Sequence, residues 1–359
     1  MTALPQQRPR GSRDRSESLA RGRRRNHSAA FKAQVAIVVL NGNKTDERAG
    51  IMKEEEEKLN ETLRMLKDAS CLEFTGEYGN ELTTFIPLVA WLKREGYLKG
   101  CRIITYDGMR PYYFFLSDDE IQFKTADRIW LPSQQRYWPT NATETAISSP
   151  WHVYPDYRSH FGSSSLPFTK PILFIQNKFT VDYQIGPVNF LPLYAIEKII
   201  NTFSNEYDIV YSRPSKLLQK YSFDHNTICD YPDRAVVAKF SNIFDLEHMS
   251  ISNNLDYNML KLQTLSKSSL FVAAQGGGAH LLAYFGNSIM LLFDRLSLEY
   301  PHAYAHGPYK YLSPDPVKLM VARTGEKLAN GVDILYQAAS AGTSLTTDGF
   351  KALASELFI

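Results

Sequence analysis

The stretch Leu270 to Phe293, LFVAAQGGGAHLLAYFGNSIMLLF, decides the fold. It holds no Asp, Glu, Lys or Arg, and three consecutive glycines, Gly276 to Gly278, sit near its start. Its length invites a membrane reading, since a spanning helix needs about 20 continuous apolar residues. Gln275, His280, Gly286 and Asn287 break the run, as do the glycines. It divides instead into four units. Leu270 to Ala274 reads as a buried strand and Gln275 to Gly278 as a loop. Ala279 to Phe285 reads as a short helix stopped by Gly286-Asn287, and Ile289 to Phe293 as another buried strand. Uncharged strands of this kind belong to a parallel sheet covered on both faces. No membrane span is expected.

The glycines admit two readings. Glycine permits positive φ and lets a ligand approach the backbone. A glycine turn that opens a helix presents N–H groups and the positive end of the helix dipole, which suits phosphate. At the carboxyl end of a parallel strand it also lies where open α/β sheets bind ligands. The other reading is that the glycines only permit tight strand–helix packing. The turn is not a P-loop, because no Gly-Lys-Ser/Thr follows. Nor is it a dinucleotide fingerprint, because Asp294 comes too soon and follows the next strand.

The rest of the chain supports an α/β class. Ala69 to Thr75 reads as a strand, Gly76 to Glu81 as a turn-rich loop, Leu82 to Arg94 as an apolar helix and Arg102 to Tyr106 as a strand. That is a βαβ start. Residues 131–170 are rich in Pro, Ser, Thr and Trp and read as a long connection. A second series follows, with strands at Pro171 to Ile175, Tyr207 to Tyr211 and Ala235 to Ala238. Helices are expected at Leu191 to Phe203 and Tyr257 to Ser266.

The chain has 359 residues, which fits two ordinary domains, and its 44% hydrophobic and 22% charged content is globular. Residues 8–25 carry eight Arg and two acids, so the basic signal is confined to one end. A nucleic-acid reading of the whole protein is therefore poor. Cys71, Cys101 and Cys229 show neither a disulfide framework nor zinc spacing, which points to a reducing, cytoplasmic setting. Ser117-Asp-Asp-Glu120 reads as a solvated helix start rather than a metal motif.

Three resemblances add to these readings. Arg23 to Ala36, continuing to Lys44-Thr45, looks like the start of the small first-frame protein of IS3-family insertion elements, a helix-turn-helix DNA binder. The second, groove-reading helix is missing here, so specific DNA binding is not expected. Ser269 to Ile289 resembles the donor-domain segment of GT-B glycosyltransferases, with heptosyltransferase-like and family-61-like patterns. Gly76-Glu-Tyr-Gly-Asn-Glu-Leu82 resembles the GxxGNQ loop of α1,2-fucosyltransferases. The arginine motif that holds the donor diphosphate in those fucosyltransferases has no counterpart here. Gln176-Asn-Lys178 stands at the corresponding strand end.

These resemblances imply two Rossmann-like domains facing a cleft, after a disordered basic extension at residues 1–25 and a helical insertion-element-like segment at 26–65. An acceptor-side domain is expected over 66–165, a nucleotide-sugar domain over 166–335 and a C-terminal helix over 336–359. The implied activity is transfer of a hexosyl or pentosyl group in polysaccharide biosynthesis. The donor is a nucleotide sugar, the acceptor a glycan or lipid-linked glycan, and no metal or other cofactor is expected. Asn177, Lys178, Arg213, Gln275, Gly276, Gly277, Gly278, Ala279 and His280 are the expected donor residues. Lys178, Arg213 and the N–H groups of Gly277 to Ala279 would face the diphosphate. Glu77 and Asp107 are the candidate bases for the acceptor hydroxyl. Asp245 to His248 is a candidate for the donor base or ribose, and Tyr300 to His302 and His306 to Tyr309 are expected on the same rim. Two other classes stand beside this one: a transposition-related DNA-binding protein, and an inactive nucleotide-sugar-binding protein.

Overall fold

The computed structural model describes residues 45–69, 71–128, 151–181, 186–215, 217–218, 228–295, 308–342, 346–355 and 357. The basic tail, the insertion-element-like segment before Thr45, and Tyr300 to His306 lie outside the described residues. Glu47 to Ile359 forms one compact unit, and Met1 to Asp46 is a separate one.

Helix α1 (Thr45–Ala69) buries Leu59, Thr62 and Leu66, spaced three and four apart. That spacing lays one stripe on the core while Glu54, Glu56 and Glu57 stay exposed. The first sheet has three parallel strands in the order β1 (Cys71–Glu73), β2 (Arg102–Tyr106), β3 (Ile121–Lys124). Between β1 and β2 the chain runs through α2 (Tyr78–Asn80), a π-helical turn (Glu81–Phe85) and α3 (Ile86–Arg94). Pro87 sits in the first turn of α3, where a missing N–H costs nothing. The sequence reading missed β3. Ser117 to Glu120 is a turn before it rather than a helix start: Ser117 N and Oγ bond Glu120 Oε2, which also pairs with Lys93.

After α4 (Tyr157–Phe161) comes the second sheet. Its elements are β4 (Ile172–Gln176), α5 (Leu193–Phe203), β5 (Asp208–Ser212), α6 (Asp233–Val237), β6 (Ile243–Asp245), α7 (Leu246–Ser252) and α8 (Tyr257–Lys267). Then follow β7 (Ser268–Ala274), α9 (Gly277–Ala283), β8 (Ile289–Phe293), β9 (Lys318–Ala322), α10 (Gly325–Ala341) and α11 (Thr347–Leu353). The decisive stretch is thus strand, turn, helix, strand. All six strands are parallel, in the order β6-β5-β4-β7-β8-β9. Counted from β4 this is the doubly wound 3-2-1-4-5-6 order. Every residue of β4 and β5 is buried, as strands covered on both faces require. The fold class is therefore α/β with two parallel sheets.

One element corrects the sequence reading. Ala235 to Ala238 lies in helix α6 and its end, not in a strand. Val236 and Val237 are both buried while Ala235, Ala238 and Lys239 are exposed. That is a helical stripe, and a β-branched pair had imitated a strand. Among the described residues no helix is long and apolar enough to cross a membrane.

Candidate functional site

The order of the large sheet reverses between β4 and β7. In such sheets a crevice forms outside the carboxyl ends of these two strands. The ends carry Gln176-Asn177-Lys178 and Gln275-Gly276. Asn177 is fully buried: its Oδ1 accepts from Lys178 N (2.9 Å) and Leu191 N (2.8 Å), and its Nδ2 donates to Tyr211 OH (2.9 Å). It fixes the chain as it leaves β4. Gln275 is 1% exposed and accepts from Asn189 Nδ2 at 2.7 Å. Its Nε2 is buried with no hydrogen-bond partner among the described residues.

Gly276 has φ +143°, which only glycine adopts readily. A Cβ there would stand 3.1 Å from Lys178 Nζ and 3.3 Å from its Cδ. The lysine side chain therefore lies along the glycine turn. Ala279 N is bonded to Gly276 O at 2.8 Å, so its N–H is not offered outward as the sequence reading expected. Gly277 and Gly278 supply the leading N–H groups of α9.

The glycines also serve close packing. A Cβ on Gly277 would lie 2.9 Å from Tyr78 Cδ1 and 3.2 Å from Gly79 N; on Gly278, 2.9 Å from Gln176 Cδ. A Cβ on Gly79 would meet His280 Cδ2 at 3.1 Å. The loop after β1 thus interlocks with the start of α9. His280 is half-buried here and stands edge-on to Tyr309, with ring centroids 5.5 Å apart. The two readings of the glycine run divide by position: Gly276 lies against a cation, Gly277 and Gly278 against neighbours.

Glu77 and Asp107 lie on the two small-sheet loops that reach the large-sheet half. Glu77 is half-buried at the start of α2, directly before Tyr78, and its carbonyl accepts from Glu81 N at 3.0 Å. The Asp107 carboxylate accepts from Thr125 Oγ1, which ties the ends of β2 and β3. The next residue, Gly108, has φ +79°, and its carbonyl accepts from Asn258 Nδ2 at 2.9 Å.

Arg213, at the end of β5, is bound by Asp233, with Nε to Oδ2 at 2.5 Å in a buried pair. Tyr211 OH donates to the same carboxylate oxygen. The charge of Arg213 is therefore already matched. Asp245 caps α7, accepting from Glu247 N (2.9 Å) and His248 N (3.1 Å). Arg234 pairs with both Asp245 and Glu247. This rim is a bonded network built around the end of β5.

The sequence reading passed over Glu81, the last residue of the GEYGNE loop. It is fully buried and accepts from Thr105 Oγ1, from Tyr113 OH (2.6 Å) and from Arg128 Nη2 (2.5 Å). Arg128 also donates to Gly76 O at 3.2 Å and stacks 4.1 Å above the Tyr106 ring. The loop is thus clamped at both ends. Burial first, then the Glu81 carboxylate, pushes the Tyr113 hydroxyl well above its ordinary range. No spacing rule links positions 81 and 128, so only the fold could pair them.

No family model matches this chain, and no curated protein does either. Solved structures of the wall teichoic acid polymerase TagF are weakly similar. One is 11% identical with a TM-score of 0.29, covering 75% of this chain and 56% of that one. A variant of the same polymerase soaked with CDPG is 12% identical with a TM-score of 0.27, over 75% and 57%. The chain spans little more than half the length of these neighbours. At such TM-scores the likeness carries no argument about activity, which has to be read from the chain's own residues.

Proposed function

We propose that this chain is a glycosyltransferase that moves a sugar from a nucleotide-sugar donor to a glycan or lipid-linked acceptor. The observation that carries this reading is Lys178 lying along the Gly276 turn at the reversal of a doubly wound sheet. A diphosphate needs a cation and a backbone without side chains at close range, and this place supplies both. The leaving diphosphate gains charge as the sugar departs, so groups aimed at it lower the barrier. In this reading Lys178 and the N–H groups of Gly277 and Gly278 meet that charge, with Gln275 and His280 beside them. Asn177 orients Lys178. Arg213 acts one step removed, through its pair with Asp233, by holding the end of β5. Glu77 or Asp107 accepts the proton of the attacking hydroxyl. Charge is met by side chains and N–H groups, so the proposed mechanism is independent of metal.

A second reading, a nucleotide-sugar-binding protein without turnover, draws support from the Arg213–Asp233 pair. That pair removes one expected cation from the diphosphate's service. Thermal-shift measurements with UDP-, GDP- and ADP-linked sugars test both readings. Stabilisation by one donor, lost in Lys178→Met, is expected. Turnover of that donor separates the enzyme from the binder, and stabilisation by none of them would sink the donor site.

A further inference from the structure

Four buried side-chain amides gather at the carboxyl ends of β4 and β7: Gln176, Asn177, Asn189 and Gln275. Three of them place the amide nitrogen on an acceptor. Gln176 Nε2 donates to Asn177 O at 2.9 Å, Asn177 Nδ2 to Tyr211 OH at 2.9 Å and Asn189 Nδ2 to Gln275 Oε1 at 2.7 Å. Gln275 is the exception. It is 1% exposed, and its Nε2 has no acceptor among the described residues. Asp294, which follows β8 as Gln275 follows β7, gives that nitrogen no bond either. A buried N–H without an acceptor is costly, so such a group calls for a physical reason.

The orientation of the Gln275 amide is fixed by its neighbours. The main-chain N–H of Arg295 can only donate, and it donates to Asn189 at 2.9 Å, so the Asn189 oxygen faces Arg295. The Asn189 nitrogen then faces Gln275. Two amide nitrogens cannot share one hydrogen bond, so the Gln275 oxygen faces Asn189 and its nitrogen is turned away. The main chain of Gln275 is held as well, its N–H bonded to Phe293 O at 3.0 Å. Arg295, Asn189 and Gln275 thus donate in one direction, and the series ends on Gln275 Nε2. Such a series polarises its last donor and strengthens the bond which that donor makes.

This donor belongs to the residue directly before Gly276. Gly276 and the Lys178 side chain that lies along it are both half-buried, so solvent reaches the turn one residue from the amide. An oxygen drawn by the Lys178 ammonium therefore arrives beside Gln275. An ammonium and an amide N–H offer protons and accept none, so together they select an oxygen that carries no proton.

We propose that Gln275 touches the ligand and donates its Nε2–H to a phosphoryl oxygen of the ligand's diphosphate, and that Asn189 is the positioning residue that turns the amide there. The proposal deepens the donor-site reading and rests on it for the ligand's identity. A phosphoryl oxygen carries charge but no proton, and bonds to charged acceptors are about twice as strong as neutral ones. To admit it, the flexible Lys178 side chain swings off Gly276 and meets the same phosphate. No covalent bond changes.

The test is titration calorimetry with pyrophosphate, with UDP, GDP and ADP, with their nucleosides and with the corresponding nucleotide sugars. Gln275→Met keeps the length of the side chain and removes the donor. It is expected to weaken whichever diphosphates bind by about tenfold or more, and to leave any nucleoside affinity unchanged. Asn189→Ala lets the amide turn, and a smaller loss of the same kind is expected. That loss should vanish in the Gln275→Met background, whereas a merely structural role for Asn189 would keep it there. Diphosphates bound equally by wild type and Gln275→Met overturn the inference and leave the donor reading standing. A loss confined to the nucleosides assigns a base carbonyl and overturns the inference too. Gln275-dependent binding of pyrophosphate, with no binding of any nucleotide sugar, keeps the inference and overturns the donor reading. No binding by any probe overturns both. Should Gln275→Met not fold, Gln275→Glu decides, because it keeps the shape and the bond from Asn189. As pH climbs from about 5 to about 9 its carboxyl changes from donor to anion, so its pyrophosphate affinity must fall about tenfold or more against the wild type. Parallel profiles overturn the inference.

Discussion

The Gly79 nitrogen stands 3.2 Å from the place a Gly277 Cβ would occupy, so the two halves of the molecule touch backbone to backbone. The Tyr78 ring closes the same spot from the side, at 2.9 Å. Gly277→Ala should therefore force the halves apart without touching the interior of either sheet. A stability loss of about 1–3 kcal/mol is expected, the usual cost of overpacking. Chemical denaturation would read it. An unchanged midpoint would mean that the contact is not kept in solution.

Lys178 and Gly276 form the second relationship to test. Gly276→Ala imposes a Cβ at φ +143°, against the lysine side chain. Nucleotide-sugar affinity should drop at least as far as in Lys178→Met, about tenfold or more for a lost charge-assisted contact. Equal affinity in wild type and both variants would place the donor elsewhere.

The Glu81–Arg128 pair is fully buried, and Thr105, Tyr113 and Gly76 hydrogen-bond to it while the Tyr106 ring stacks on Arg128. Breaking one side leaves a buried charge without its countercharge, held only by neutral groups. Arg128→Met should cost about 3–5 kcal/mol, and Glu81→Gln somewhat less, because the amide still accepts from Tyr113. The double variant Glu81→Gln, Arg128→Met should recover part of the loss. Additive losses in that cycle would contradict a coupled pair.

Lys261, buried in α8, makes stability depend on pH in a direction unusual for lysine. Burial depresses its folded-state value to about 7, from an ordinary value of 10.5. Between those limits the unfolded chain holds the proton and the folded chain does not. Stability contributed by this group therefore rises with pH across that window, by up to about 1.4 kcal/mol per pH unit, and is flat below it. Melting scans of wild type and Lys261→Met should converge as pH climbs from about 7 toward 10. Parallel profiles would show that the amine is not depressed.

Gly286 follows the helix of the decisive stretch, three residues past its last residue, Ala283. A Cβ there would lie 1.8 Å from the carbonyl oxygen of Asp315 and 2.2 Å from Ser313 Oγ. Backbone cannot yield as a side-chain tip does. Gly286→Ala should cost about 3 kcal/mol or more and appear first as lost soluble expression.

The centre of the large sheet was legible because its strands are buried almost throughout and, apart from Asp208 at the start of β5, carry no charge. β4, β5, β7 and β8 each announce themselves as short apolar runs. β6 and β9 do not: Ile243-Phe-Asp is only half-buried, and β9 opens on Lys318. Edge strands, with one neighbour each, lack the pattern that marks a centre. Within the site, the strand ends and glycine turn could be found because turns must use particular residues. The pairs that neutralise Arg213 and Glu81 could not, since their partners come from other elements of the chain. Lys261 was partly visible. Positions 257, 261, 264 and 265 follow the helical repeat, and a lysine on that apolar stripe is an anomaly that periodicity can flag.

The reversal of the sheet has a consequence for how the chain is made. β4 lies at its centre, yet its second neighbour, β7, begins at Ser268, after β5 and β6 have been synthesised. Until then one edge of a strand that is apolar up to Gln176 stays open to pair with other chains. Such distant pairing is slow to form and exposes intermediates to aggregation. A chain ending before Ser268 would keep that edge for good. Its yield should depend on chaperones far more than that of a chain shortened after β9.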